Sequence, residues 1–439
     1  MSIQVLHITA HLGGGIGKAL SGLVRQGSGA TDVSHRIICL EKPEKSQFIE
    51  TIEAGGTQVI VAPGQDQVHG LIEEADIVQL EWWGHPAVPP ALCGKALPPM
   101  RLLLWCHVSG LGSPIIPAPL LKRAHRCIFT SPASLQTPET RSLNGAEKQR
   151  LGVIHSAGGI DELPVPERTA GAPLSAGYLG SLNFAKLHPR YPAFLARVRI
   201  PGFRVRMIGD AINRAVLEEE CRREGCPGVL DFRGYRTDIA AELSAINVMP
   251  YLLNPHHYGT TENALLEAMA MGVVPVVLNN PAESCLIRNG ETGLIVSTPE
   301  EFGEAMHWLH DHPDERLRLA QNASSYVRDR FPIKAMHEAF NGVYRRLLEQ
   351  DKKAVPFTEM LGAQPAQWFL NSQRNPHIFT SPMDITRPLD RFAVHGLFEK
   401  TKGSVFHFAS CFPMDPTLQR WKERLAEMET SLHGNRTSS

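Results

Sequence analysis

The segment 259–278 contains the residue types best suited to bind a ligand. Between Ala264 and Leu278 the only polar side chain is that of Glu267. An ionised carboxylate inside a buried helix is costly unless hydrogen-bond donors replace the lost water. Within the segment only Asn263, four residues earlier on the same helical face, could help. We therefore expect Glu267 to bind a ligand, and the neighbouring hydroxyls of a ribose suit a carboxylate acceptor.

A turn of small residues precedes this helix and adds a second ligand-binding feature. Gly259, Thr260 and Thr261 allow close approach of the backbone, and either threonine can cap the helix. The free N–H groups of a first helical turn form an anion site. An anion site beside a hydroxyl acceptor describes a nucleotide or a nucleotide sugar. The alternative is a core helix in which Glu267 pairs with a distant arginine.

Short apolar runs between helical stretches fill most of the chain, which is typical of parallel sheets covered on both faces. A stretch rich in Pro, Ala, Gly and Thr at 164–173 predicts a linker. We therefore expect an α/β protein with two Rossmann-like doubly wound domains, residues 1–165 and 174–349. Ligands bind beyond the carboxyl ends of such strands, so the two domains are expected to face a cleft. The predicted strands are 5–8, 36–40, 59–62, 76–80, 101–106, 127–130, 153–154, 175–179, 205–208, 229–232, 246–249, 274–278 and 294–296.

Residues 350–439 form a C-terminal extension that is predicted to be partly helical. From residue 415 onward, Leu418, Trp421, Leu425, Met428 and Leu432 are spaced three and four apart and form one apolar stripe. Such a stripe predicts packing against the parent domain, with coiled-coil pairing as the alternative.

Composition excludes several classes of protein. The 44 basic and 45 acidic residues leave no basic footprint for nucleic acid. The eight cysteines are scattered, several within apolar runs, and predict buried thiols in a reducing compartment. No leader precedes the first strand, and no apolar run reaches the ~18 residues of a spanning helix. We expect a cytoplasmic location, with contact at the inner face of a membrane left open.

Several segments resemble retaining nucleotide-sugar glycosyltransferases of the group 1 (family 4) type, which have the GT-B fold. The most specific is Glu267-Ala-Met-Ala-x-Gly272-x-x-Pro275-Val-Val. The resemblance covers about residues 3–348. The other matching segments, in chain order, are Gly14-Gly-Ile-Gly-Lys18, Val153-Ile-His-Ser-Ala-Gly-Gly-Ile-Asp161, Gly180-Ser-Leu-Asn-Phe-Ala-Lys186, Phe232-Arg-Gly234 and Asn289-Gly-Glu-Thr-Gly293.

This resemblance implies that the second domain binds the nucleotide sugar. Glu267 would bind the ribose, and Tyr235 would contact the base. Lys186 would neutralise the departing diphosphate, and His107 would hydrogen-bond near the donor sugar. The remaining donor-binding residues implied are Gly14, Gly15, Gly259, Thr260, Thr261 and Asn263.

Two positions depart from the family pattern. The family usually has a glutamate eight residues before Glu267 and an arginine five residues before the lysine, whereas this chain has Gly259 and Ser181. Glu262, one turn closer to Glu267, is the candidate replacement for the carboxylate and is included among the catalytic residues with Lys186 and His107.

The acceptor, metal and cofactor predictions come from the residues themselves. Glu81, Trp82 and Trp83 follow the predicted strand 76–80, and carbohydrates stack on aromatic rings, so this is the candidate acceptor region. The alternative is that the tryptophans belong to the core. Neither a metal nor a cofactor is expected, because no Asp-x-Asp pair occurs and the adjacent His256 and His257 point apart.

The function expected is transfer of a sugar, with retention, from a nucleotide-diphosphate sugar to an acceptor hydroxyl. The acceptor would be a carbohydrate or lipid-linked, in polysaccharide or glycoconjugate biosynthesis. Two alternatives stay open: a non-catalytic nucleotide-sugar-binding scaffold, and a nucleotide-sugar epimerase of the same fold.

Overall fold

The computed structural model describes residues 2–26, 32–43, 46–157, 159–165, 167–380 and 396–436, with side chains up to residue 429. The chain forms two compact units. Unit 1 comprises Met1–Ser156 and Ile333–Ser439, and unit 2 comprises Ala157–Pro332. The side chain of Leu432, predicted to extend the apolar stripe, lies outside the described residues.

Each unit is built on one sheet whose paired strands are all parallel. The order is β3-β2-β1-β4-β5-β6-β7 in unit 1 and β10-β9-β8-β11-β12-β13 in unit 2. Both contain the 3-2-1-4-5-6 order of doubly wound folds, which confirms the predicted Rossmann-like sheets. The strands are β1 (Ile3–Thr9), β2 (Val33–Cys39), β3 (Gln58–Val61), β4 (Ile77–Trp82), β5 (Leu102–Cys106), β6 (Arg126–Phe129), β7 (Leu151–Val153), β8 (Ala176–Leu179), β9 (Val205–Ile208), β10 (Leu230–Gly234), β11 (Val248–Tyr251), β12 (Val274–Leu278) and β13 (Leu294–Val296).

Helices follow most of the strands, and none of those described is long and apolar enough to cross a membrane. In unit 1 the α-helices are Gly14–Gln26, Gln47–Ala54, Gln65–Glu74, Val88–Cys93, Ala118–Arg123, Pro138–Arg141, Gly145–Lys148, Ile333–Leu348, Phe357–Leu361, Pro365–Leu370, His377–Thr380, Val405–Cys411 and Pro416–Arg436. In unit 2 they are Tyr191–Leu195, Arg214–Arg223, Ile239–Ser244, Asn263–Ala270, Pro281–Ser284, Pro299–Asp311 and Pro313–Arg330.

The helix Ile333–Leu348 belongs to unit 1, although the sequence placed it at the end of the second domain. Its apolar face covers the sheet of unit 1: the Phe340 ring lies 4.6 Å from that of Trp105. The Tyr344 hydroxyl donates to Gln79 Oε1 at 2.7 Å. The amphipathic pattern predicts a helix that buries one face, but it does not indicate which sheet receives that face.

The C-terminal extension is also part of unit 1. Lys353 pairs with Met100 in an antiparallel bridge, and the Ile115 amide donates to the Ser372 carbonyl at 2.7 Å. Arg374 binds Glu139 through two hydrogen bonds of 2.7 and 2.8 Å. The predicted stripe packs into a small core: Leu418, Trp421 and Leu425 bury with Phe369, Ile378, Phe379, Val405, Phe408 and Ala409.

In each unit the strand order reverses at one place, between β1 and β4 and between β8 and β11. Crossover helices leave in opposite directions there, which opens a crevice at the carboxyl ends of the strands. Residues that follow these four strands are therefore candidates for ligand binding.

Substituting one buried phenylalanine in each unit tests the assignment of the helix Ile333–Leu348. Phe340 and Phe302 are both fully buried, the latter against Phe194 in unit 2. Either substitution to alanine should cost about 3–5 kcal/mol of unfolding free energy. We expect Phe340→Ala to lower hydrogen-exchange protection in the sheet of unit 1 only, and Phe302→Ala in that of unit 2 only. Loss of protection in unit 2 upon Phe340→Ala would contradict the assignment.

Candidate functional site

The predicted glycine loop in unit 1 lies directly after β1. Gly14 has a φ of +58°, a conformation that favours glycine, and begins the helix Gly14–Gln26. Gly14 and Gly15 are both exposed. The structure therefore places the N–H groups of a 13-residue helix at the carboxyl end of β1, where an anion is favoured.

A fully buried carboxylate, that of Glu81, lies beside this loop on β4. Oε1 faces His7 Nδ1 at 3.0 Å and Gln79 Nε2 at 2.9 Å. Oε2 faces His107 Nε2 at 2.7 Å. Burial acts to raise the pKa of Glu81, but hydrogen bonds from His107 and His7 lower it more, so the pKa lies below its ordinary value. Glu81 is therefore ionised inside the protein.

This geometry corrects the predicted acceptor region. β4 runs through Trp82 instead of ending at residue 80, so Glu81 lies within a central strand that is buried on both faces. Trp82 is 3% exposed, and its Nε1 donates to the Ile115 carbonyl at 3.4 Å. Neither side chain is open to an acceptor. Trp83 is partly exposed, and its buried Nε1–H has no hydrogen-bond partner in the described part of the chain.

Two histidines gather after β1 and β4: His11, and His85 at the end of the candidate acceptor segment 81–85. The rings of His11 and His85 lie 5.0 and 4.6 Å from Trp83. His85 Nε2 lies 3.3 Å from Glu41 Oε1. Lys402, from the C-terminal extension, lies 3.0 Å from His11 Nε2. The pKa of His85 falls to about 2 because of burial and the neighbouring His407, His11 and Lys402.

In unit 2, the loops after β8 and β11 pair with each other and bring Lys186 to Glu262. Leu187 and Leu253 form an antiparallel bridge, and the Asn254 amide donates to the Lys186 carbonyl at 2.8 Å. Lys186 Nζ then lies 2.9 Å from Glu262 Oε2. The Lys186 side chain is 18% exposed, whereas that of Glu262 is 2% exposed. The ammonium is thus paired with a buried carboxylate, while the Lys186 side chain keeps some exposure.

Glu262 is one member of a buried ionic cluster. The Tyr251 hydroxyl donates to Glu262 Oε2 at 2.6 Å, and His257 Nε2 lies 2.7 Å from Glu283 Oε1. Burial acts to raise the pKa of Glu262, but Lys186, His257 and Tyr251 lower it more. Burial acts to lower the pKa of His257, but Glu283 and Glu262 raise it more. Lys186 and His257 therefore face Glu262 and Glu283 within one buried cluster.

The Glu262 carboxylate occupies the space that a side chain at position 259 would fill. A Cβ added at Gly259 would overlap Glu262 Oε1 and lie 2.8 Å from His257 Nδ1. Helix Asn263–Ala270 begins one residue after Glu262, so Glu262, and neither Thr260 nor Thr261, stands at the N-cap position. Both predicted threonine caps are therefore wrong. Thr260 and Thr261 are buried in the turn between Gly259 and this N-cap.

The remaining predicted donor residues lie at the same edge of the unit 2 sheet. Glu267 is in the helix Asn263–Ala270 and is 8% exposed, and Asn263 opens that helix. Tyr235 follows β10 and is 62% exposed. Ile212, which the sequence analysis did not consider, is 65% exposed and follows the neighbouring strand β9. Adjacent strands of this sheet are thus each followed by an exposed large hydrophobic side chain.

Two groups among the described residues have the composition of a metal site: His11, Glu41 and His85, and His257, Glu262 and Glu283. In each group, a lysine ammonium already faces one member, Lys402 at His11 and Lys186 at Glu262.

None of the eight cysteines forms a disulfide bond, and Cys411 is exposed.

Some of the missed residues carry a readable signal. His7 and Gln79 are polar residues inside buried central strands, a position that demands a buried partner. Tyr251, His257 and Glu283 give no such signal, because their partners are set by tertiary contacts.

Comparison with known proteins gives one family and several partial relatives. Residues 175–312 match the family model for glycosyl transferases group 1. A lipopolysaccharide core biosynthesis glycosyltransferase, LpsE of Rhizobium meliloti, is 26% identical over 147 residues, which are 33% of this chain and 42% of LpsE. Glycosyltransferase 1 domain-containing protein 1 of Xenopus tropicalis is 38% identical over 206 residues, 46% of this chain and 55% of that protein. The chain thus spans about half the length of the curated relatives it matches.

Among solved structures, HepE of Anabaena, crystallised in complex with UDP, superimposes with a TM-score of 0.63 at 17% identity. The match covers 79% of this chain and all of HepE. At that identity the likeness shows the fold, which is of the GT-B class with two Rossmann-like parallel-sheet domains.

A double-mutant cycle tests the shared space of Gly259 and Glu262. Gly259→Ala should cost about 1–3 kcal/mol of unfolding free energy, because the new Cβ must displace the Glu262 carboxylate. In a Glu262→Ala background the same change should cost less, because only the 2.8 Å approach of the new Cβ to His257 Nδ1 remains. Gly64→Ala is the control, since nothing lies within 4 Å of a Cβ added there. Equal costs in both backgrounds would refute the overlap.

The charge of His257 makes a pH-dependent contribution. Because its folded-state pKa is raised, its stabilisation is complete below the unfolded value of about 6.5 and is lost as pH rises through the folded value. The difference in unfolding free energy between wild type and His257→Gln should therefore shrink as pH increases above about 6.5. Chemical denaturation across a pH series measures it, and a difference that grows with pH would contradict the ion pair.

Proposed function

We propose that the chain is a glycosyltransferase that moves a sugar from a nucleotide-diphosphate sugar to an acceptor hydroxyl. The observation that carries this proposal is Lys186, held by the buried Glu262 beside the turn Gly259–Thr261 and the helix with Glu267. This is the part of the chain that matches the glycosyl transferases group 1 model. The resemblance adds retention of configuration and a role in polysaccharide or glycoconjugate biosynthesis.

The diphosphate would bind at Lys186. It is the only lysine between residues 157 and 332, where all other permanent cations are arginines. An ammonium is a compact point charge suited to a leaving phosphate. Glu262 fixes it before the ligand arrives, so little reorganisation is needed when charge develops on the diphosphate. The backbone of Gly259, Thr260 and Thr261 would complete the anion site.

The nucleoside would bind along the same strand edge. Glu267 would accept hydrogen bonds from the ribose hydroxyls, with Asn263 one helical turn before it. Tyr235 and Ile212 supply exposed aromatic and aliphatic surface after β10 and β9, which suits the faces of a base. That pairing supports Tyr235 as the base contact.

The acceptor would bind to unit 1. Trp83, with its partly exposed ring, offers a stacking surface, and Gly14 and Gly15 offer backbone N–H groups. His107 supplies one imidazole at the carboxyl end of β5. In a front-face mechanism the leaving phosphate takes the acceptor proton, so no protein nucleophile is required. A lipid-linked acceptor and a location at the inner face of a membrane stay predictions.

The first experiment is nucleotide binding. Thermal shift against UDP, GDP, ADP, TDP and CDP and their sugars should give one selective stabilisation, since a ligand at 100 times its Kd adds about 2.7 kcal/mol. Glu267→Ala should abolish the shift. Absence of any shift would overturn the proposal. Binding without transfer or hydrolysis would favour a scaffold, and conversion of the donor sugar without an acceptor would favour an epimerase.

Turnover tests the leaving-group role of Lys186. Lys186→Ala should lower kcat about 100-fold, because it removes one electrostatic contact to the departing diphosphate. Arg222→Ala removes an exposed cation of the same unit and is the matched control. Far-UV circular dichroism establishes that each variant is folded. A near-wild-type kcat for folded Lys186→Ala would rule out this role.

A further inference from the structure

We propose that Glu81 is a positioning residue that holds His107 as the Nε2–H tautomer and so presents His107 Nδ1 as a hydrogen-bond acceptor for a hydroxyl of the sugar ligand. The identity of the ligand rests on the proposed function. The tautomer follows from hydrogen bonds within unit 1 alone.

The argument starts at the Glu81 carboxylate, which can only accept hydrogen bonds. Three nitrogens face it: His7 Nδ1 and Gln79 Nε2 at Oε1, and His107 Nε2 at Oε2. Each of them must therefore carry a proton. The Gln79 amide is consistent with this, because its Oε1 accepts from the Tyr344 hydroxyl at 2.7 Å while its NH2 faces the carboxylate.

The same reasoning assigns the direction of the hydrogen bond between His7 and His35. With its proton on Nδ1, neutral His7 has a lone pair on Nε2, and His35 Nδ1 lies 2.9 Å from that atom. His35 therefore donates, and its own Nε2, which has no hydrogen-bond partner in the described part of the chain, is unprotonated. Burial and the neighbouring His7 and His337 hold the pKa of His35 well below its ordinary value. Neutral histidines thus satisfy every contact, with all donors directed toward one anion.

The remaining groups near Glu81 do not alter this assignment. Tyr344 and Cys106 are buried, and burial together with the Glu81 charge raises the pKa of both, so they stay protonated. The ring of His107 is held from two sides, by Glu81 and by the Trp105 ring at 4.5 Å. Its side chain is 6% exposed. With Nε2–H directed at Glu81, Nδ1 is the ring nitrogen left to meet a ligand.

The two oxygens of the Glu81 carboxylate have different partners, so the variant Glu81→Gln tests the tautomer of His107. Two donors, His7 and Gln79, face one oxygen, so the new amide oxygen should stay there and its NH2 should face His107. His107 Nε2 must then accept, and the proton moves to Nδ1. Ring ¹⁵N chemical shifts of labelled protein, assigned with His107→Gln, report the tautomer directly. We expect Nε2–H in the wild type and Nδ1–H in Glu81→Gln.

The ratio of the affinities for the nucleotide sugar and for the nucleoside diphosphate tests whether His107 Nδ1 contacts the sugar. In Glu81→Gln, affinity for the nucleotide sugar should fall about tenfold relative to affinity for the nucleoside diphosphate alone, as expected for one lost hydrogen bond of about 1.4 kcal/mol. Affinity for the diphosphate itself should not change. Glu41→Gln is the matched control: it alters another histidine-facing carboxylate in unit 1 and should leave both the His107 tautomer and the ratio unchanged.

The outcomes are distinct. A wild-type His107 that carries its proton on Nδ1, or a Glu81→Gln variant that keeps Nε2–H, overturns the positioning role. If Glu81→Gln does not fold, His7→Gln replaces it as the test variant. This variant leaves the His107–Glu81 contact intact, so His107 should keep its proton on Nε2. Loss of that proton from Nε2 in His7→Gln would also overturn the positioning role of Glu81. A wild type that binds no nucleotide sugar overturns the proposed function and the hydroxyl contact with it.

Discussion

An ionised carboxylate removed from water needs either donors or cations close by, and the structure meets this requirement once in each unit. In unit 1 the donors around Glu81 are two imidazole N–H groups and an amide. In unit 2 the groups around Glu262 are charged, with Lys186 and His257 as the cations. Desolvation of a carboxylate costs several kcal/mol, so each of these residues is constrained by the one anion it faces.

The fold explains where these carboxylates lie. A doubly wound sheet buries its central strands on both faces, so a polar residue on β1 or β4 has to find its partner within the protein. Both strands border the place where the strand order reverses. Hydrogen-bonded polar residues that begin inside the sheet, such as His35, His7 and Glu81, therefore end at His107, at the carboxyl edge of the sheet. The core of unit 1 and its candidate site are parts of one hydrogen-bonded network.

The sequence predicts the strands and most of the residues at the carboxyl edge, because periodicity and strand endings are local properties. It does not predict which residues meet. Lys186 and Glu262 are 76 residues apart, and the loops that join them pair through main-chain hydrogen bonds, which any sequence can make. Two residues of strand length also decided the role of Glu81: a strand ending at residue 80 exposes it, whereas the observed end at Trp82 buries it. Boundary errors of this size are inherent in propensity-based prediction.

The glycine at position 259 illustrates why a departure from a family pattern cannot be judged from one position. Considered alone, Gly259 lacks the carboxylate that the family usually has at this position. In the structure, the Glu262 carboxylate fills the space that a side chain at 259 would enter, and only a residue without a Cβ leaves that space open. The carboxylate beside Lys186 is thus supplied from three residues further along the chain. A decayed site would leave Lys186 without a counter-charge, and unpaired buried cations are strongly disfavoured. The ionic balance of Lys186, His257, Glu262 and Glu283 argues instead for a site that is maintained as a unit.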